Sequence, residues 1–314
     1  MRFLRHVIID TDPGVDDALA LILALKSPEI KVEAVTTVVG NVSQDKAHRN
    51  ALKILDFLNA CEIPVARGAH KPLIREASHA EEIHGESGLG EAMLPEPRIR
   101  SSEASAVNLI LEKAYELGRG PTLVALGPLT NVASAILAEP RLVDMVAGLV
   151  FMGGAYNLTP YGYGNVTPVA EFNIWHDPEA AKIVFESGIP LKAVGLDITA
   201  NPSNSLTLDR YQEIDRLGTR RSRLVADLCR GLIKRFGIVQ LHDPIAVAVA
   251  SNPDLVETGR FFVEVETAGL LTRGQTVLDR RPRQPIERRP NLEICLSLDS
   301  ERFMKLFMER VVYE

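Results

Sequence analysis

Val7, Ile8 and Ile9 form an unbroken β-branched run, as a strand buried on both faces requires. The run enters the polar stretch Asp10-Thr11-Asp12-Pro13-Gly14, and an apolar segment at 18–25 with helical character follows. This strand, loop and helix order recurs. A strand at 32–39 precedes a helix at 44–58, a strand at 122–126 precedes a helix at 129–138, and a strand at 148–152 leads through a long loop to a helix at 178–186, with a further strand at 191–194. Past Asn201 the pattern gives helices over 208–217, 222–236 and 244–250, strands near 261–266 and 292–296, and a last helix opened by Asp299. Apolar strands alternating with helices predict an α/β fold: a mostly parallel central sheet with helices on both faces and ligands at the carboxyl ends of the strands. No Pro/Ser-rich linker and no internal repeat interrupts this, so residues 1–314 are expected to form one domain.

Composition narrows the class. Hydrophobic residues at 46% and charged residues at 24% suit an ordinary soluble globular protein. A formal net charge of −6 and the lack of a long basic block argue against a nucleic-acid partner. The three cysteines, Cys61, Cys229 and Cys295, are widely spaced without a C-x-x-C, which predicts buried reduced thiols and a cytoplasmic location. The N-terminus passes into strand without an apolar signal region, so export is not expected. The longest charge-free stretch, 145–170, is broken by Gly153, Gly154, Asn157, Pro160 and Gly162, which argues against a membrane span. The basic stretch 280–289, with Pro282 and Pro285, reads as a solvated loop.

Candidate chemistry is densest at Asp10, Asp12, Asp16 and Asp17. Four carboxylates within eight residues repel one another unless a cation compensates them, and hard cations select oxygen ligands. The pattern places Asp12 as helix cap, Pro13 at the first helical position and Gly14 where the backbone can be approached closely. A capped helix with an acidic first turn would account for one or two of the four. Other templates fail: an EF-hand would need Glu at its twelfth position, where Leu21 stands, and Walker A, strand-linked G-x-G-x-x-G and H-E-x-x-H motifs are all missing.

The segment Asp10-Thr-Asp-Pro-Gly-Val-Asp-Asp-Ala18 resembles the N-terminal signature of the inosine-uridine preferring nucleoside hydrolases. Thr36-Thr-Val-Val-Gly-Asn41, His84-Gly-Glu-Ser-Gly88, Leu126-Gly-Pro-Leu-Thr-Asn131, Met152-Gly-Gly154, Asn165-Val-Thr-Pro-Val-Ala-Glu171-Phe-Asn173 and His242-Asp-Pro244 are similar to its active-site blocks, in the same order. The resemblance implies a Rossmann-like nucleoside hydrolase fold that cleaves the N-glycosidic bond of ribonucleosides with a bound Ca²⁺. By position it assigns the metal to Asp12, Asp17, the carbonyl of Leu126 and Asp243, and the ribose to Asp16, Asn165, Glu171 and Asn173, with Asn41 in support. Met152, Phe172 and His84 complete the implied substrate-binding set, and His242 is placed beside the base as an acid for the leaving group.

The chemistry follows from these parts. Ribosyl cleavage builds oxocarbenium character, so the site must stabilise positive charge, supply a water and help the base depart. Asp12 is the expected general base. An imidazole near its ordinary pKa of about 6.5 would serve at neutral pH. His-Asp-Pro occurs twice, at 176–178 and 242–244, each with the look of a helix cap; spacing does not separate them, and only the resemblance gives Asp243 to the metal and leaves Asp177 as a cap. Leu228 and Leu232 stand where relatives carry tyrosines, so Tyr161 or Tyr163, in the 156–164 loop, is expected to close over the base and give broad selectivity. A Mg²⁺-dependent phosphohydrolase of the haloacid-dehalogenase type, with Asp10 as nucleophile, and a non-catalytic nucleoside-binding protein are the alternatives. The resemblance also implies a homo-oligomer, a dimer or tetramer, acting on small-molecule ribonucleosides.

Overall fold

In the computed structural model, which describes residues 4–118, 120–281 and 288–313, alternation along the first strand divides the core. Val7 and Ile9 face one hydrophobic cluster and Ile8 faces the other, because successive side chains of a strand point to opposite faces. The strands β1 (Arg5–Thr11), β2 (Ile30–Thr37), β3 (Val65–Arg67), β4 (Thr122–Ala125), β5 (Gly148–Met152) and β6 (Leu191–Val194) pair in parallel in the order 3-2-1-4-5-6. Leu292–Leu298 adds a seventh parallel strand beside β6, and Val256–Phe261 closes that edge antiparallel. This is the doubly wound order, which reverses between β1 and β4, where a crevice opens at the carboxyl ends of the strands. Residues just past β1 and β4, Asp12 and Leu126, therefore meet there. The Leu126 amide donates to the Asp10 carbonyl at 2.7 Å and ties the two strand ends together.

Helices Val15–Leu25 and His242–Ser251 pack in the first cluster, and Thr130–Ala138 and Pro178–Glu186 in the second. The expected α/β architecture is thus present. Several details differ. The expected strand at 261–266 is two: Val256–Phe261 joins the main sheet, while Val263–Val265 leaves it to pair with Thr276–Leu278. The pattern also passed over β3, three residues long, and the helix Ala106–Leu117, although Ser105 caps it and Ala106, Leu109, Ile110 and Ala114 carry helical periodicity. Cys229 and Cys295 are buried free thiols as expected, but Cys61 is exposed. The basic stretch 280–289 is described only in part, since 282–287 lie outside the described residues; Arg280 donates to the carbonyls of Tyr156 and Asn157, and Arg281 pairs with Asp279 at 2.7 Å. Residues 1–3 of the expected N-terminal lead-in also lie outside them. No helix among the described residues is long and apolar enough to cross a membrane.

Candidate active site

Helix Val15–Leu25 starts later than the sequence suggests. Gly14, extended, is its N-cap, so Asp12 and Pro13 precede the helix instead of capping it and opening it. Asp17 takes over the organising role. Its carboxylate accepts from Thr11 Oγ1 at 2.5 Å, Asp12 N at 3.2 Å, Gly14 N at 3.0 Å and Asn41 Nδ2 at 2.9 Å. Asp12 is then free to turn inward: Oδ2 accepts from the Asn41 amide at 2.7 Å, while Oδ1 is buried without a hydrogen-bond partner. Gly127 makes room for it, since a Cβ there would lie 2.4 Å from Asp12 Oδ1. Gly14 likewise admits His84, whose Nδ1 would be 2.6 Å from a Cβ. One level down, Asp10 accepts from Thr36 Oγ1 and Asn131 Nδ2 at 2.6 and 2.8 Å, so Thr36 and Asn131 support the floor of the site.

The two His-Asp-Pro segments, alike in sequence, part company here. Asp177 caps helix Pro178–Glu186 through Ala180 N at 3.0 Å and also accepts from Leu73 N and Thr130 Oγ1. Asp243 is not a cap, contrary to the sequence reading: Leu241 holds that position, and the Asp243 carboxylate lies in the first turn of the helix. It approaches Asp16 and Asp17, and the three offer oxygens within 4.8 Å of one another, an arrangement that can coordinate a divalent cation. Asp16 in turn accepts from the backbone N–H of Asp243. Burial, reinforced by the charges of its neighbours, holds Asp12 and Asp243 well above the ordinary carboxylate range. Burial and then Asp17 push Asp16 up to about 7. An all-oxygen donor set with an unpaired buried Asp12 oxygen fits a hard cation.

Above this floor opens a cavity of about 740 Å³. Asp16, Asn41, His84, Leu126, Met152, Asn165, Glu171, Phe172, Asn173, His242 and Asp243, all anticipated from the sequence, line it, while Asp12 and Asp17 lie fully buried beneath. A cavity of about 710 Å³ at the amino ends of the strands, lined by Thr122, Gly148 and Leu191, contains none of them. Asn173 Nδ2 donates to the carbonyls of Leu126 and Met152 at 2.7 and 3.1 Å, and Glu171 accepts from Gly154, Asn173 and Ile174 amides. Asn165 Oδ1 accepts from Phe172 N, leaving its amide N–H groups for a ligand. His84 Nδ1 accepts from Val15 N at 3.1 Å, so its proton sits on Nε2.

Two expectations need correction. Burial, and then the neighbouring His84, pull the His242 imidazole down to about 4, so it is neutral at pH 7 instead of titrating near 6.5. The tyrosines of the 156–164 loop do not line the pocket: half-buried Tyr161 and exposed Tyr163 both lie outside the cavity lining, and Tyr156 is in the core with its hydroxyl on the Gly153 carbonyl. The aromatic wall comes instead from Phe172, Trp175 and Phe236, with Leu232, Ile83 and Val239. Trp175 was not anticipated, although it lies two residues past Asn173 on the helix Phe172–His176; its ring is covered by the Arg273 guanidinium at 4.5 Å.

The twin segments give opposite expectations. Asp177→Ala should cost about 1–3 kcal/mol in urea denaturation and leave divalent-cation binding intact, because it removes a cap and two further acceptor contacts. Asp243→Ala should abolish cation binding while the chelated protein keeps its stability. Raised carboxyl pKa values mean that the folded chain retains protons which the unfolded chain releases. That stabilisation is complete below the ordinary aspartate pKa and is lost as pH rises through the raised values. With chelator present, the thermal midpoint should fall from about pH 5 to about pH 8, and Asp243→Asn should flatten the slope; a flat wild-type profile would contradict this.

A sequence profile of the inosine-uridine preferring nucleoside hydrolases matches residues 7–305. The chain is 42% identical to the pyrimidine-specific ribonucleoside hydrolase RihA of Salmonella gallinarum over 98% of each chain. It superposes with a TM-score of 0.91 on the plant nucleoside hydrolase PpNRh1, at 32% identity and 99% coverage of both. A purine-preferring ribonucleoside hydrolase from Gardnerella vaginalis gives 0.88, 33% and 98% of both. With these likenesses spanning the sheet, the carboxylate floor and the pocket wall alike, the chain belongs to the inosine-uridine preferring nucleoside hydrolase family and is an enzyme that hydrolyses the N-glycosidic bond of ribonucleosides.

Proposed function

We propose that this hydrolase works with a Ca²⁺ held by Asp12, Asp17, the Leu126 carbonyl and Asp243, and that pyrimidine ribonucleosides are its preferred substrates. The observation that carries the metal reading is the buried oxygen-donor floor with its unpaired Asp12 Oδ1. Asp16 belongs to the trio of carboxylates but, like Asp243, lines the cavity, whereas Asp12 and Asp17 do not. That difference supports giving Asp16 to the ribose and the two occluded aspartates to the metal. The pyrimidine preference is supported by the 42% identity to RihA, a pyrimidine-specific relative.

When bound, the cation supplies positive charge that orients the vicinal ribose hydroxyls and a water and lowers the pKa of that water. Asp12 takes the proton as the water attacks the anomeric carbon, and its raised pKa in the metal-free chain reflects the same burial that keeps bulk water away. Asp16, Asn165, Glu171 and Asn173 hold the ribose, with Asn41 fixing Asp12 and Asp17 from behind. The carboxylates of Asp16 and Glu171 also offset positive charge as it grows on the sugar. Met152 and Phe172 pack against the substrate. His84 donates from Nε2 to the departing base, and His242, a neutral imidazole with Nδ1 on Thr199 and Nε2 on Gln240, stands beside it. Neither the phosphohydrolase nor the non-catalytic alternative finds support in the fold or the relatives.

Residues 1–314 are proposed to form one hydrolase domain, cytoplasmic and assembled as a dimer or tetramer. One eight-stranded sheet, unbridged thiols among the described residues and the exposed apolar Ile74, Leu270 and Leu271 support these readings.

Asp12→Asn should reduce ribose release from uridine by at least about 10³-fold while circular dichroism stays native, since it removes the base and weakens a ligand. Wild-type turnover in that variant would sink the assignment. A missing 2′-hydroxyl should cost on the order of 10⁴ in kcat/KM, because polar groups on the floor lose their partner. Comparable kcat/KM on uridine and 2′-deoxyuridine would show that the floor does not read the sugar.

A further inference from the structure

Gln240 stands exposed at the pocket mouth, two residues before His242, and its Oε1 lies 3.2 Å from His242 Nε2. A carboxamide oxygen only accepts, so this contact places the imidazole proton on Nε2; His242 Nδ1, 2.8 Å from Thr199 Oγ1, then accepts from the hydroxyl. The contact also polarises what Gln240 can offer. With its oxygen committed to the imidazole, the side chain presents N–H donors to an incoming ligand. Depth decides which part of the ligand meets them. The carboxylates that read ribose lie on the floor, so the sugar enters first and the outer edge of the base remains at the mouth with Gln240. On that edge uracil and hypoxanthine carry a carbonyl acceptor, whereas cytosine and adenine carry an amino donor.

We propose that Gln240 is a specificity-determining residue of this hydrolase, donating an N–H to the outer carbonyl of an oxo base and disfavouring the amino bases. The inference rests on the reading that ribose occupies the carboxylate floor. It is independent of whether pyrimidines or purines are preferred, because each ring class has an oxo and an amino member.

The test is kcat/KM for uridine, cytidine, inosine and adenosine with the metal-loaded wild type, Gln240→Met and Gln240→Glu. The wild type should favour uridine over cytidine and inosine over adenosine. Gln240→Met, which keeps the length and loses the donors, should bring the oxo-to-amino ratio down by about tenfold. Gln240→Glu, which offers oxygens only, should carry the ratio further towards the amino bases. Metal content and thermal midpoint should not change, since the side chain is exposed. Wild-type ratios at or below unity, or ratios in both variants within about twofold of wild type, would overturn the proposal. Ribose release from none of the four nucleosides would overturn the ribose-on-floor reading and the proposal with it.

Discussion

Asp12, Asp16, Asp17 and Asp243 share a low-dielectric floor where burial, and then neighbouring carboxylates, raise the cost of ionising Asp12, Asp16 and Asp243. A fold that retains such a cluster must surround the oxygens with polar partners and offset their charge, by protons or by a bound cation. The surrounding structure meets the first need with neutral donors: Thr11, the amides of Gly14 and Asn41, and the Asn41 side chain. Among the described residues no Lys or Arg lines the cavity, and the carboxylate cluster is one that can coordinate a divalent cation.

The doubly wound sheet explains why the floor lies where it does. At the reversal between β1 and β4 the connections leave in opposite directions, and the carboxyl ends of the two strands face an open crevice. Asp12 leaves β1, and the Leu126 carbonyl leaves β4. The helix His242–Ser251 brings Asp243 from more than a hundred residues away, against the helix Val15–Leu25 that carries Asp16 and Asp17. The same arrangement gives the pocket a floor of carboxylates and a wall that includes the aromatic rings of Phe172, Trp175 and Phe236.

Where pattern reading failed, tertiary contacts had overridden local rules. Asp12-Pro13 has the chemistry of a cap and first helical residue, yet the pull of Asn41 on the Asp12 carboxylate and the Asp17 contact with Gly14 N delay the helix to Val15. Tyr161 and Tyr163 looked like lid residues because they are close in sequence to Asn165, but neither lines the cavity. Their neighbour Tyr156 fills the core beside Gly154 and Gly195, and the wall is completed by Phe236, at the end of a helix more than sixty residues on. Burial likewise shifted His242 away from the titration range that an isolated imidazole would have.

The residue order alone determined the alternation of buried strands and helices, the acidic stretch after β1, and, through a run of blocks in matching order, the family and its chemistry. These are local or collinear signals: periodicity, composition and motif order survive in one dimension. Tertiary structure decided which of two identical His-Asp-Pro triplets turns its aspartate to the floor, which carboxylates, Asp10 and Asp12, keep an unpaired oxygen, and which aromatics form the wall. Those choices depend on burial and on the partners that each side chain meets across the sheet, and neither is encoded in a residue's immediate neighbours.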